Sequence, residues 1–225
     1  MQYHIDTGLI YEKFKTDCDC PLCEIEKIVT EQFLHEFLND AVMEDDSRVK
    51  VGVKGFCAEH FDMLFARKNK LSVALQIGTR ANKIAPLFAP VKSAGAAKKR
   101  AKEIENAFSH CVICDLVDES MKKYYKTVAQ MFAREKEFYK ILFASKGFCA
   151  HHYAELLHYA GDAGFAVKNY LAALGTVQDR NFKRLQTDLK AFCDSHDYRN
   201  AYKPLGDADT ALPRARIKFY GDKRE

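Results

Sequence analysis

The chain has 225 residues, 48% of them hydrophobic and 29% charged, with a formal net charge of +4 at pH 7. This is an ordinary globular composition, and acidic and basic residues are interspersed, which argues against a nucleic-acid partner that would need a concentrated basic face. No run of about 18 apolar residues occurs to span a membrane, and residues 1–10 lack the basic-then-apolar pattern of a secretory signal. The expectation is a cytoplasmic protein whose eight cysteines serve as metal ligands or reactive thiols, since reducing conditions disfavour disulfides.

In chain order, Ile5, Leu9, Ile10 and Phe14 suggest an extended arm leading into a short helical turn. Cys18 then precedes Cys20-Pro-Leu-Cys23. Pro21 suits the first turn of a helix, and Ile25, Ile28, Val29, Phe33, Phe37 and Leu38 recur at helical spacing, predicting a helix from 21 to about 41. Residues 43–54, interrupted by Asp45-Asp46-Ser47, read as extended chain returning to the start of that helix. Gly55 permits a tight turn. A helix over about 58–84 follows, with Phe61, Leu64, Phe65, Leu71, Leu75 and Ile84 as its buried face. Pro86, Pro90 and Ser93-Ala-Gly95 mark a break. The basic run at Lys98-Lys-Arg100 and Lys102 opens another helical stretch, and Glu103 and Glu105 beside it indicate a solvated face. Leu116, Val117, Met121, Tyr124, Tyr125, Val128 and Phe132 predict a long helix, and Phe138, Ile141 and Leu142 a short return helix. A final long helix is expected over 163–195, followed by an irregular tail, 196–225, with one short helix near 211–220.

Two segments stand out because they occur twice. Cys20-Pro-Leu-Cys23 is followed by Lys54-Gly-Phe-Cys-Ala-Glu-His60, and Cys111-Val-Ile-Cys114 by Lys146-Gly-Phe-Cys-Ala-His-His152; the first cysteines of successive pairs are 37 residues apart in one copy and 38 in the other. Each copy supplies three cysteines and one histidine: Cys20, Cys23, Cys57 and His60, then Cys111, Cys114, Cys149 and His152. Thiolate and imidazole in a set of four are the donors of a closed tetrahedral zinc site. Repetition of the set at nearly constant spacing makes coincidence a poor explanation. His151 is a rival to His152, but the first copy carries Glu59 at the matching position. Cys193 and His196 form a third Cys-x-x-His with no accompanying cysteine pair, and read as incidental.

The expected fold class is therefore all-α, with two pseudo-symmetric helical halves, 1–90 and 91–195, and the tail packed on the body. Zinc is expected at two ions per chain, each joining helix N-termini, whose dipoles favour the negative charge of three thiolates. Lys54 and Lys146 are placed to assist. Each half is expected to hold one site built from its own Cys-x-x-Cys and Cys-x-x-His, although a duplicated fold can exchange motifs between its copies. The first functional reading is a structural-zinc scaffold that binds an unidentified protein or small-molecule ligand in a groove. The alternative is an iron–sulfur redox or electron-transfer protein using the same donors. No Ser-His-Asp arrangement, phosphate-cradling glycine loop or His-Glu-x-x-His motif points to catalysis.

Several segments together resemble a known family. They are Tyr3-His-Ile-Asp-Thr7, Cys18-Asp-Cys-Pro-Leu-Cys23, both Lys-Gly-Phe-Cys segments, Cys111-Val-Ile-Cys-Asp115, Asp197-Tyr-Arg-Asn200 and the Pro-Arg-Ala tail. They are similar to an uncharacterised bacterial domain of unknown function, found mostly in anaerobes and sometimes labelled a transporter substrate-binding protein. The resemblance covers almost the whole chain. It implies a shared fold and ligand set, gives weight to Cys18 as part of the opening cluster, and brings no activity with it.

Overall fold

In a computed structural model, residues 5, 7–39, 44–197, 199 and 204–222 are described, and all of their regular structure is helical. The eleven α-helices among these residues are α1 (Thr7–Lys15), α2 (Pro21–Leu38), α3 (Asp45–Lys54), α4 (Ala58–Phe65), α5 (Lys70–Ile84), α6 (Ala94–Ala107), α7 (Val112–Arg134), α8 (Lys136–Ala144), α9 (Ala150–His158), α10 (Val167–Ser195) and α11 (Ala211–Tyr220). Parts of the resemblance, Tyr3, His4 and Asp6 at the start and Tyr198 and Asn200 near the end, lie outside the described residues.

The chain divides into two compact units. One joins Met1–Lys27 to Met121–Glu225, and the other is Ile28–Ser120. These boundaries fall inside α2 and α7, whereas the halves drawn from the repeat in the sequence meet near residue 90.

In the first unit, residues expected as an extended arm form α1, because Ile10 and Phe14, one helical turn apart, are both buried. The Phe14 ring lies 5.3 Å from Phe138 and 6.0 Å from Phe148, so α1 is held by aromatic packing on α8 and on the loop before α9. The part of α7 in this unit buries Met121, Tyr125, Val128 and Phe132 along one stripe, as the periodicity predicts. The helix expected from 163 starts at Val167, after a 3-10 segment, Ala160–Ala166, that contains Gly164 at φ 57°. The tail is more ordered than expected. A 3-10 turn, Gly206–Thr210, leads into α11, which buries Ala211, Ala215 and Lys218 and packs on α9 and α10.

In the second unit, residues 45–54 form α3 and not the returning extended segment. Asp45 and Asp46 stand in its first turn, where carboxylates favour the helix dipole, and Ser47 and Val51 are buried. The expected single helix over 58–84 is broken between α4 and α5. Asn69 makes the second start, accepting from the Ser72 N–H and donating to the Leu38 carbonyl. The buried face of α5 also differs from expectation. Leu71 and Leu75 are exposed, while Ser72, Val73, Gln76 and Arg80 face inward. Arg80 takes an inward place because its guanidinium donates to the carbonyls of Gly52, Val53 and Ala107, closing the C-terminal turns of α3 and α6.

Candidate metal centres

All eight sequence-predicted donors come together, in two sets of four. Cys20, Cys23, Cys149 and His152 form one set, and Cys57, His60, Cys111 and Cys114 the other, with the ligand atoms of each set all within 4.8 Å of one another. Each set combines the cysteine pair of one sequence copy with the Cys-x-x-His of the other. The first set lies within the first compact unit and the second within the second.

Local sequence explains the placement. Cys20 stands directly before Pro21, and its carbonyl accepts from the N–H groups of Cys23 and Glu24, so the pair rides on the first turn of α2. Cys111 precedes α7 in the same way. Cys57 and Cys149 are the N-caps of α4 and α9, with φ, ψ of −72°, 166° and −71°, 164°, and each sulfur accepts the N–H of the histidine three residues on. All four ligand pairs therefore sit at helix N-termini, where exposed N–H groups favour thiolate charge.

The glycine of each Lys-Gly-Phe-Cys segment makes this turn possible. Gly55 and Gly147 adopt φ 71° and 82°, in the region that favours glycine. A Cβ at Gly55 would meet Arg80 Nε at 2.9 Å, and one at Gly147 would meet Gln178 Oε1 at 3.0 Å. Gln178 clamps the second of these loops by accepting the Phe148 N–H and donating to the Phe148 carbonyl, each at 3.0 Å. Gly55→Ala and Gly147→Ala are each expected to cost about 1–3 kcal/mol in denaturant unfolding. Gly78→Ala, at an exposed position of α5 with open space around it, should instead stabilise by up to about 1 kcal/mol. Equal effects at all three positions would remove the argument from positive φ.

The donor separations in each set would fit one small ion. In the first set His152 Nδ1 lies 3.5, 3.4 and 3.2 Å from the sulfurs of Cys20, Cys23 and Cys149, and the Cys23 and Cys149 sulfurs are 3.7 Å apart. In the second, His60 Nδ1 lies 3.2, 3.4 and 3.3 Å from Cys57, Cys111 and Cys114, with 3.9 Å between the Cys57 and Cys114 sulfurs. A tetrahedron with Zn–S of about 2.3 Å and Zn–N of about 2.05 Å has S···S edges of about 3.8 Å and S···N edges of about 3.5 Å. The sulfurs are much farther apart than the roughly 2.05 Å of a disulfide, and all eight cysteines are free thiols.

As free groups these donors compete for protons. Hydrogen bonds from Cys20 and Cys23 pull the Cys149 thiol far below its usual range, while Cys149 and Cys20, with burial, push Cys23 up. Cys111 is lowered to about 3, chiefly by its hydrogen bond with Cys114, and Cys114 is raised in turn by Cys111 and by burial. Burial works against a charged His152, but its bonds to Cys149 and Cys20 outweigh that and raise it to about 10. A cation that displaces these protons satisfies all four donors together, so its affinity must rise with pH.

The two centres differ in their surroundings. All four donors of the first set are buried, at 2%, 2%, 1% and 1% exposure for Cys20, Cys23, Cys149 and His152. Residues near the chain's end close over it. The Asp222 N–H donates to Cys23 Sγ at 3.4 Å, and Lys218 donates to the carbonyls of Asp19 and Lys146, which lead into the two ligand pairs. Asp222 is fixed by an ion pair with Lys27. His152 Nε2 is buried without a hydrogen bond, and the Glu26 carboxylate stands 3.5 Å away. That placement favours a proton on Nε2 and a free lone pair on Nδ1, facing the sulfurs. In the second centre Cys57 and Cys114 are partly exposed and His60 is 9% exposed.

Residues outside these sets take other roles. Lys54 pairs with Asp115 and Lys146 with Asp17, each at 2.5 Å, so both lysines meet carboxylates. Cys18 directs its thiol to the Lys13 carbonyl, His151 and Glu59 are exposed, and Cys193 is exposed on α10, outside both sets. Sequence reasoning missed Arg80, Gln178, Lys218 and Asp222. A polar side chain on an otherwise apolar helix stripe was the available signal for Arg80 and Gln178.

No curated protein and no solved structure matches the chain. The model of one protein family does, over residues 1–225.

Proposed function

We propose a role for this chain, which belongs to DUF6062, a family of unknown function, from its two donor sets: it is a helical scaffold stapled by two structural zinc ions that presents a binding surface to a small-molecule ligand or protein partner. The carrying observation is that the S···N and S···S separations in both sets match the edges of one zinc tetrahedron. Cys20, Cys23, Cys149 and His152 would hold one ion, and Cys57, His60, Cys111 and Cys114 the other. Four protein donors leave no position for water or substrate, which is the arrangement of a structural site. An iron–sulfur cluster is less well supported, because it distributes its ligands over more than one iron and so needs outer donors farther apart than the corners of one tetrahedron.

Two further parts of the reading follow. The matching N-cap geometry of Cys57 and Cys149 supports an internal duplication in which the copies exchange ligands. Eight free thiols suit a reducing compartment such as the cytoplasm, and among the described residues no helix is long and apolar enough to cross a membrane.

Elemental analysis with a visible spectrum, on protein purified without oxygen or added metal, tests the assignment. The expected result is about two zinc per chain and no visible absorbance. Iron with acid-labile sulfide and a broad visible band would replace it with the redox reading.

A further inference from the structure

The first unit contains a cleft of about 850 Å³ between the end of α7, α8 and α10, within the roughly 300–1,000 Å³ range of small-molecule sites. Its two walls differ in kind. One is aromatic: Phe132 and Tyr139 have ring centroids 5.4 Å apart, and Tyr139 stacks on Phe143 at 6.0 Å. Tyr139 is 44% exposed, a large amount of aromatic surface left facing open space. The other wall is made by small side chains of α10, chiefly Ala172, Ala173 and Thr176.

The charged lining is one-sided. Arg134, Lys136 and Lys140 contribute cations, and Glu135 is the one carboxylate among the lining residues; Lys140 also meets Glu137, outside the lining, through a solvent-exposed ion pair at 3.2 Å that a ligand carboxylate would displace or share. The Glu135 carboxylate accepts from the Tyr11 hydroxyl of α1, an interaction that holds it toward α1. An apolar slot with a cationic border selects a ligand with an apolar body and an anionic end, because burying the body removes apolar surface from water while the cations meet the charge.

We infer that this cleft binds a small organic carboxylate, its flat or straight-chain apolar body lying between the Phe132–Tyr139–Phe143 wall and the alanine face of α10, and its carboxylate beside Lys136 and Lys140. The inference deepens the scaffold reading above and rests on it, since it names the ligand class the scaffold would present. It needs no catalytic group, and the two metal centres act only by fixing the fold.

The test uses the full zinc-loaded chain, with 2-naphthoate and decanoate as anionic probes and 2-naphthamide as the uncharged counterpart, in calorimetric titrations. Both carboxylates should bind one per chain, and the amide about tenfold or more weaker, the equivalent of roughly 1.4 kcal/mol. Lys136→Ala with Lys140→Ala should erase the preference for the acid. Ala172→Trp, at an exposed position that fills the slot, should abolish binding with zinc content and melting temperature unchanged. Equal binding of acid and amide, binding that survives Ala172→Trp, or no binding of either carboxylate would overturn the inference; in the last case capture of a protein segment by the same cleft becomes the reading to pursue. Zinc content, measured on the same samples, separates the failures. Two zinc per chain without binding removes only the cleft proposal, whereas absent zinc removes the scaffold reading itself.

Discussion

Zinc content is expected to fall from about two to about one per chain in Cys20→Ser and in His152→Ala, and to stay near one when the two are combined. Cys20→Ser combined with His60→Ala should instead fall to about zero. The pattern follows from donor sets that cross the sequence copies, because Cys20 and His152 stand in one set and His60 in the other. If each copy held its own ion, Cys20→Ser with His60→Ala would retain one zinc and Cys20→Ser with His152→Ala would lose both. The effect on stability is also large. Structural zinc contributes apparent binding energies of about 10–16 kcal/mol in zinc-finger peptides, comparable with the roughly 5–15 kcal/mol that holds a whole domain together. Loss of one ion should therefore unfold much of one compact unit, seen as a partial loss of helical circular dichroism in step with the zinc.

A second large difference is expected between the two centres of the unaltered protein. A chelator should remove one ion at least about tenfold faster than the other, and cysteine alkylation followed by mass mapping should label Cys57, Cys111 and Cys114 before Cys20, Cys23 and Cys149. Thiol chemistry follows access to the sulfur as well as its protonation. The first centre is nearly sealed and receives the Asp222 N–H on Cys23, with Lys218 binding both approaching loops. Cys57 and Cys114 are partly open. Shortening the tail before Ala211 should erase the difference by exposing the first centre. Faster loss from the first centre in the intact chain would contradict the protective role of α11.

That these eight residues would gather as Cys3His sets was legible in the sequence, because metal-ligand chemistry restricts residue type and spacing. Their grouping was not. Either pairing joins one cysteine pair to one Cys-x-x-His, so composition and spacing are the same for both. The misleading step was residues 45–54, read as extended chain able to cover about 33 Å. As α3 they advance only about 15 Å, less than half of what that reading allowed them. Asp45-Asp46-Ser47 looked like a break and is a helix start, where acidic residues belong. The break at residues 66–69 was hidden for a related reason. Apolar residues on both sides fit one helical period, but the cap at Asn69 restarts the helix in a different phase, leaving Leu71 and Leu75 outside and Gln76 and Arg80 inside.

The crossed donor sets also impose an order on the newborn chain. His60 and Cys111 are 51 residues apart, whereas Cys23 must wait for His152, 129 residues downstream. At about 5–20 residues per second of synthesis, the Cys20 and Cys23 thiols stay without their partners for on the order of ten seconds after they are made. The second set can close first, from residues already available. Cys20 and Cys23, made before the other donors, are thus among the last to be sequestered, and the unfinished polypeptide carries a free thiol pair that the finished one hides most completely.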